Sequence, residues 1–450
     1  VEATEEGVRV LEAHKLTISD ASSLISAGKL SPVDLLDALL RRIDRLEPKI
    51  DAWVTIDKDR AIDEAERLES EAEDGLLRGP LHGIPVGVKD IFYTKGLRTT
   101  MGSPIYRDFV PAHDAAAVAK LREAGAIILG KTETTEFALS DPAPTRNPWN
   151  MEHTPGGSSS GSAAAVSSGM CPTALGTQTG GSVIRPASFC GVVGMKPTYD
   201  LISRKGVYPL SWSLDHVGFF TRTVEDAALM LGVFAKVGGP QGWKPSDDVA
   251  PPRLGLLGGF FEEHADEEVW SGFLDAVERL RGTGAEVEEV PLPPSFGVVH
   301  ATHRLIMASE AASVHQDNFT TRRDEYRAGI RGLVSSGLLV PASAYIRAQR
   351  IRGRFICETE KALKSVDCLV TPSAPTPALR GLESTGDPAF NAPWSLCGFP
   401  AVTVPSELTR VGLPLGMQLV DGHFREAHLL EIAHWCEAVL GFGKAPRDAI

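Results

Sequence analysis

The sequence predicts an α/β protein: a mixed, largely central β-sheet covered by helices on both faces. Three observations carry that expectation. Apolar runs of strand length alternate with amphipathic helical stretches along much of the 450 residues. Forty-three per cent of residues are hydrophobic and 23% are charged, the balance of a globular chain and not of a disordered one. No apolar run approaches the roughly 20 residues that a membrane-spanning helix needs, so no membrane partner is expected.

Residues 1–75 read as an N-terminal helical layer. Ser31-Pro32 signals a helix start: the serine hydroxyl accepts from free N–H groups, and proline suits the first turn. Val33, Leu35, Leu36, Leu39, Leu40, Ile43 and Leu46 then recur at steps of three and four on one face. A polar helix is expected from about Asp59 to Glu73, ending at Gly75. From Leu81 to about Thr223 the texture turns to Gly, Pro, Ser and Thr, with short apolar runs at Ile84 to Val88 and Ile127 to Leu129. Beyond it, helices are expected at Val224 to Phe234, near Glu268 to Leu280, at Val299 to His315, at Ala342 to Leu363 and at Arg425 to Val439. Strands are expected at Arg253 to Leu257, Cys368 to Thr371, Ala401 to Val404 and Leu415 to Leu419. No repeat or low-complexity linker divides the chain, and the Pro-rich stretch 371–377 reads as a loop. The simplest division is a single domain over 1–450, with 81–223 as its core.

Forty-five basic residues against 58 acidic ones leave a net charge of −13. Without a cationic excess to neutralise phosphates, nucleic acid is not an expected partner. The acidic start, VEATEEGVRVLEAHK, has no apolar core segment, so a cytoplasmic location is expected. The six cysteines lack the paired spacing of zinc or redox motifs and read as buried free thiols. No histidine pair has metalloprotease spacing; neither metal nor cofactor is expected.

Three segments of the Gly/Ser-rich middle point to chemistry. IPVGVKD ends an apolar run on Lys89. Burial there disfavours the ammonium, and a base near neutrality needs roughly 4 kcal/mol of such bias against an ordinary value of about 10.4. An ion pair with Asp90 is the plainer reading of this segment alone. PGGSSSGSAAAVSSG places Ser158, Ser159 and Ser160 ahead of a small-residue helix, where serines also serve as caps. GTQTGGSVIRPASFCG places Thr179, Gly180 and Gly181 before Ser182, so that several backbone N–H groups can converge on one point.

Together these segments resemble the amidase signature family of Ser-Ser-Lys hydrolases, over about Ser31 to Phe442. The family pattern GGSSGGS matches Gly156 to Ser162 with Ser160 for a glycine, and GTDTGGS matches Gly176 to Ser182 with Gln178 for the aspartate. Further matching stretches are Thr145-Arg146-Asn147-Pro148, CGVVGMKPT, SLDHVG and TRTVEDAA, and the 24-residue step from Ser158 to Ser182 is the family's own. The resemblance implies the amidase signature fold, with Ser182 as nucleophile, a cis-bonded Ser158 as bridging serine and Lys89 as base. It also implies an oxyanion hole from Thr179, Gly180 and Gly181, and family position makes Leu139 and Trp394 either pocket walls or, equally, ordinary core. Arg185 stands three residues after the nucleophile instead of two, and the loop Ala138 to Pro144 is shorter than usual, which is expected to open the pocket.

Two formal motif matches are rejected. GAIILGKT fits a phosphate loop, but its apolar strand lies inside the match, where no phosphate could be wrapped. GxSxG centred on Ser159, with His423 or His428 to complete a triad, lacks the strand that must lead into a nucleophile elbow. The leading expectation is therefore a stand-alone hydrolase of a small-molecule amide, carbamate (urethane) or ester, with room for a homodimer. The alternative is the amidase subunit of a tRNA-dependent amidotransferase, hydrolysing glutamine. That subunit usually carries an SNLARYDG-like stretch, and Ala308 to Phe319 does not read that way. A non-catalytic scaffold ranks below both.

Overall fold

The computed structural model describes residues 10–235, 243–246 and 248–446. The first nine residues of the expected helical layer lie outside the described residues. Eleven strands among the described residues form one mixed sheet. They are β1 (Trp53–Ile56), β2 (Pro85–Lys89), β3 (Ile127–Thr132), β4 (Thr173–Gln178), β5 (Val193–Lys196), β6 (His216–Thr221), β7 (Arg253–Leu256), β8 (Glu286–Glu289), β9 (Cys368–Pro372), β10 (Ala401–Leu408) and β11 (Pro414–Val420). Their order across the sheet is β1-β3-β2-β4-β6-β5-β10-β11-β9-β7-β8. β2 runs parallel to both β3 and β4, and β7 parallel to both β8 and β9; the other pairings are antiparallel.

Both faces are covered, because alternate side chains of one strand enter different cores. Ile127 and Leu129 join one hydrophobic cluster and Ile128 the other; Phe219 and Phe220 divide in the same way. β2, β3, β4 and β6 are buried over their whole length, so no polar positions interrupt them as they would on a half-exposed sheet. The first long helix, Pro32–Ile50, starts where its sequence says it should. Ser31 Oγ accepts from the N–H groups of Val33 at 2.9 Å and Asp34 at 3.3 Å. Helix Val299–Arg322 runs seven residues past its expected end, and helices Ile184–Cys190 and Ala328–Gly337 had no sequence counterpart. Five cysteines are buried as expected, but Cys357 is exposed. Among the described residues no helix is long and apolar enough to cross a membrane.

What this fold positions is the region beyond the carboxyl ends of β2 and β4, which lie side by side and parallel. Lys89 is the last residue of β2; Thr177 and Gln178 are the last two of β4. Ser158 precedes helix Ser160–Ser167, which packs on β4, and Ser182 precedes helix Ile184–Cys190. Carboxyl ends of parallel strands beside helix N-termini are where α/β sheets collect ligands.

Candidate active site

Lys89 is fully buried, and its Nζ lies 2.7 Å from Ser158 Oγ and 2.8 Å from Thr177 Oγ1. Asp90, the neighbour that could have paired with it, instead lies 3.7 Å from Lys131 Nζ and accepts from the N–H and hydroxyl of Thr100. With hydroxyls alone around it, Lys89 is pushed well below the usual ammonium range by burial, a shift that Asp215 opposes in part. The Gly157–Ser158 peptide is cis, as the resemblance implies. Arg185, fully enclosed, donates to the Gly157 carbonyl at 2.6 Å and to the Thr385 carbonyl at 2.7 Å, so its altered position still ties the two serine loops together. Burial lowers the Arg185 guanidinium to about 10 despite the nearby Asp387. Ser160, the departure from glycine, donates to the Gly156 carbonyl at 2.7 Å and closes the turn.

The Ser182 loop is shaped by the other departure. Gln178 Oε1 accepts from the N–H groups of Val183 at 2.9 Å and Ile184 at 3.0 Å, the acceptor work an aspartate would do. Its Nε2 adds a donor that aspartate lacks, reaching Ser395 Oγ at 3.1 Å; Ser395 Oγ in turn donates to the Gly180 carbonyl at 2.7 Å. The Thr179 carbonyl lies 2.8 Å from His303 Nε2, and the Gly181 carbonyl accepts from Arg185 N–H at 3.0 Å. Three successive carbonyls are thus occupied. Among the described residues, the N–H groups of Gly180, Gly181 and Ser182 have no backbone acceptor. Thr179 Oγ1 donates to Asp215 at 2.6 Å, and burial pushes that carboxyl up to about 6. Ser182, 7% exposed, faces a cavity, and among the described residues no hydrogen bond joins its hydroxyl to Ser158.

The cavity over Ser182 has a volume of about 830 Å³, with Leu139, Phe260, His303, Met307 and Leu333 among its walls and the opposite charges of Arg304 and Asp387 on its surface. Of the two residues read as wall or core, Leu139 lines the cavity. Trp394 does not: it is fully buried and stacked on Phe261 at 6.2 Å between centroids, part of the core behind the site. The short 138–144 loop is tied to a neighbouring helix. Asp141 caps helix Ala328–Gly337 through the N–H groups of Gly329 and Ile330, both at 2.9 Å, and this helix supplies the wall. A second cavity of about 300 Å³ begins at buried Thr177, Asp215 and His216 and ends among exposed Ser203, Lys205 and Trp212. Ala138, Thr179 and Leu210 form a wall common to both cavities.

The rejected motifs have structural roles. Lys131 of GAIILGKT lies within β3, and Ser159 Oγ donates to the Thr177 carbonyl at 3.2 Å. His423 and His428 bond instead to Cys397 and Asp421. Thr177, Asp215 and His303 were not singled out by sequence. The first two lie inside matched stretches, GTQTGGS and SLDHVG, whereas His303 carries no local signal.

This fold and this pair of serine loops define a hydrolase of carbon–nitrogen amide bonds, and comparison with known proteins agrees. The family model described as Amidase matches residues 34–430. The chain belongs to the amidase signature family. It is 39% identical to the glutamyl-tRNA(Gln) amidotransferase A-subunit of Geobacter metallireducens, over 94% of this chain and 97% of the relative. A crystal structure of an amidase superposes with a TM-score of 0.86 at 32% identity, covering 94% of this chain and 99% of the other. Peptide amidase from Stenotrophomonas maltophilia gives a TM-score of 0.84 at 29% identity, covering 98% and 100%.

The first of these corrects the partner expectation. A stand-alone enzyme with a small-molecule substrate, a homodimer at most and no nucleic acid does not agree with a relative named as one subunit of an amidotransferase for a charged tRNA. Net charge describes the surface of one chain and does not report on the partners of an assembly. Ala308 to Phe319 lie on helix Val299–Arg322, but none of them lines the cavity over Ser182.

Proposed function

We propose that this chain is the amide-hydrolysing subunit of a tRNA-dependent amidotransferase, releasing ammonia from glutamine through an acyl-enzyme on Ser182. The likeness to a named amidotransferase A-subunit supports the subunit reading, and the 2.7 Å contact between Lys89 Nζ and Ser158 Oγ supports its chemistry. A neutral amine has one lone pair, which can accept the Ser158 proton while its own N–H bonds to Thr177. Ser158 then takes the Ser182 proton as Ser182 Oγ attacks the amide carbon. The carbonyl oxygen gathers charge against the N–H groups of the 179–182 loop. Collapse breaks the carbon–nitrogen bond, and the relayed proton returns to the departing nitrogen as ammonia leaves. Water attacks the ester by the same path and regenerates Ser182.

Two further observations favour glutamine and transfer. Arg304 and Asp387 offer the cavity one charge each for an α-carboxylate and an α-ammonium. The second cavity starts at Thr177, beside Lys89, on the far side of a wall shared with the Ser182 cavity, where a short opening of that wall would let a small amine pass. The test is copurification and assay: the chain brings down a partner protein, and the complex releases ammonia that depends on glutamine and is lost in Ser182→Ala. An isolated chain that turns over simple amides at full rate, with no response to glutamine, would overturn the reading.

A further inference from the structure

We propose that His303 is a positioning residue for the oxyanion: by donating Nε2–H to the Thr179 carbonyl it aims the Gly180 N–H at the oxygen that gathers charge. The proposal rests on the reading of Ser182 as nucleophile.

The loop needs an external tether because it has little stiffness of its own. Gly180 and Gly181 lack a Cβ and can adopt many backbone conformations, yet a useful oxyanion hole must be held in place before the charge develops. In a trans peptide the C=O and N–H point in opposite directions. Anchoring the Thr179 oxygen therefore orients the Gly180 N–H, as Ser395 does for the next peptide and the Arg185 N–H for the one after. A bond to the carbonyl also polarises the peptide and strengthens its N–H as a donor.

His303 is well placed to hold that peptide. It projects from helix Val299–Arg322, is 5% exposed, and sits 2.8 Å from its acceptor. A Cβ added at Gly180 would lie 3.7 Å from His303 Cε1 and 3.4 Å from Pro388 Cβ, so the imidazole also packs close to the loop. A carbonyl can only accept, which puts the proton on Nε2. Burial holds the imidazole near 4, so it stays neutral and the tether is unchanged through the working range. His300, Arg352 and Glu310 are the charged or titratable groups that act on it, and Arg304 shares the cavity wall with it. Thr179 has a second anchor in Asp215, which restrains its side chain but leaves the orientation of its carbonyl free.

The experiment measures the labelling rate of Ser182 by a fluorophosphonate, whose phosphoryl oxygen uses the same donors. It is run on the full chain with any copurified partner retained. His303→Leu keeps the volume and loses the donor; His303→Gln keeps an N–H able to reach the carbonyl. Loss of a whole oxyanion donor costs about a hundredfold or more. Misaiming one should lower the maximal labelling rate at least about tenfold, with probe affinity within about twofold and His303→Gln close to wild type. Thermal unfolding checks that both variants are folded. Wild-type labelling rates in folded His303→Leu would overturn the proposal while leaving Ser182 as the nucleophile. Loss of probe affinity at an unchanged maximal rate would also overturn it, because it would make His303 a cavity wall only. No labelling of wild type, or equal labelling of Ser182→Ala, would remove the nucleophile and this role with it.

Discussion

Lys89 ends β2 and Lys131 is the last residue but one of the adjacent parallel β3; both are fully buried, but they have opposite surroundings. Lys131 has Asp90 at 3.7 Å, donates to the Phe92 carbonyl, and reaches Thr94 at 3.2 Å and Thr99 at 3.1 Å. It is lowered only to about 8 and remains a cation that holds β3 to the 92–99 segment. Lys89 meets two hydroxyls and no carboxylate, and burial then favours its neutral form. Lys196, bonded to two carbonyls, is lowered by burial to about 7. Burial alone does not make a lysine a base. The absence of an adjacent counter-charge decides which of these amines keeps a lone pair.

The same substitution at the two positions should therefore have opposite consequences. Lys89→Met removes the proposed proton acceptor, and ammonia release should fall by about three orders of magnitude or more, within the range seen for losing general-base catalysis. Its unfolding midpoint should stay level or rise, because a desolvated amine has gone. Wild-type turnover in this variant would remove Lys89 as the base. In the wild type, a protonated Lys89 has no lone pair, so kcat/KM should fall as pH drops through its depressed pKa and level off above it.

Lys131→Met is the second prediction. It strands Asp90 as a buried carboxylate whose Oδ1 already lacks a hydrogen-bond partner, and denaturant unfolding should report a loss of about 3–5 kcal/mol. Pairing it with Asp90→Asn should restore much of that loss. If instead Lys131→Met lost activity at full stability, the assignment of roles to the two lysines would be reversed.

How legible this was in advance depended on where the information lay. Helix Pro32–Ile50 could be read because its cap and its apolar stripe are local. β6, HVGFFT, could not: all six residues are buried, so the period-two pattern that marks a strand is absent. Helix Ile184–Cys190 is seven residues long with Pro186 inside it, too short and too atypical to be seen as a helix. Within the site, Lys89, Ser158 and Ser182 were legible through family spelling. His303 and the isolation of Trp394 depend on which distant segments meet, and neither leaves a mark in neighbouring residues.

Gln178 tests the smallest difference. Gln178→Asp restores the usual residue and keeps an oxygen to accept from the Val183 and Ile184 N–H groups, but loses the donor to Ser395. Stability should fall by about 1 kcal/mol, with turnover changed only a few-fold. A larger loss of turnover would mean that the Ser395 tether on the Gly180 carbonyl matters more than the anchoring of the helix.

Lys89, Ser158, Thr177 and Ser182 all come from one continuous stretch of fewer than a hundred residues, whereas Phe260, Arg304, Leu333 and Asp387 reach the same cavity from much later in the chain. A lineage could therefore remodel the later segments through successive gene duplications and acquire new diets, while inheriting the earlier stretch unaltered.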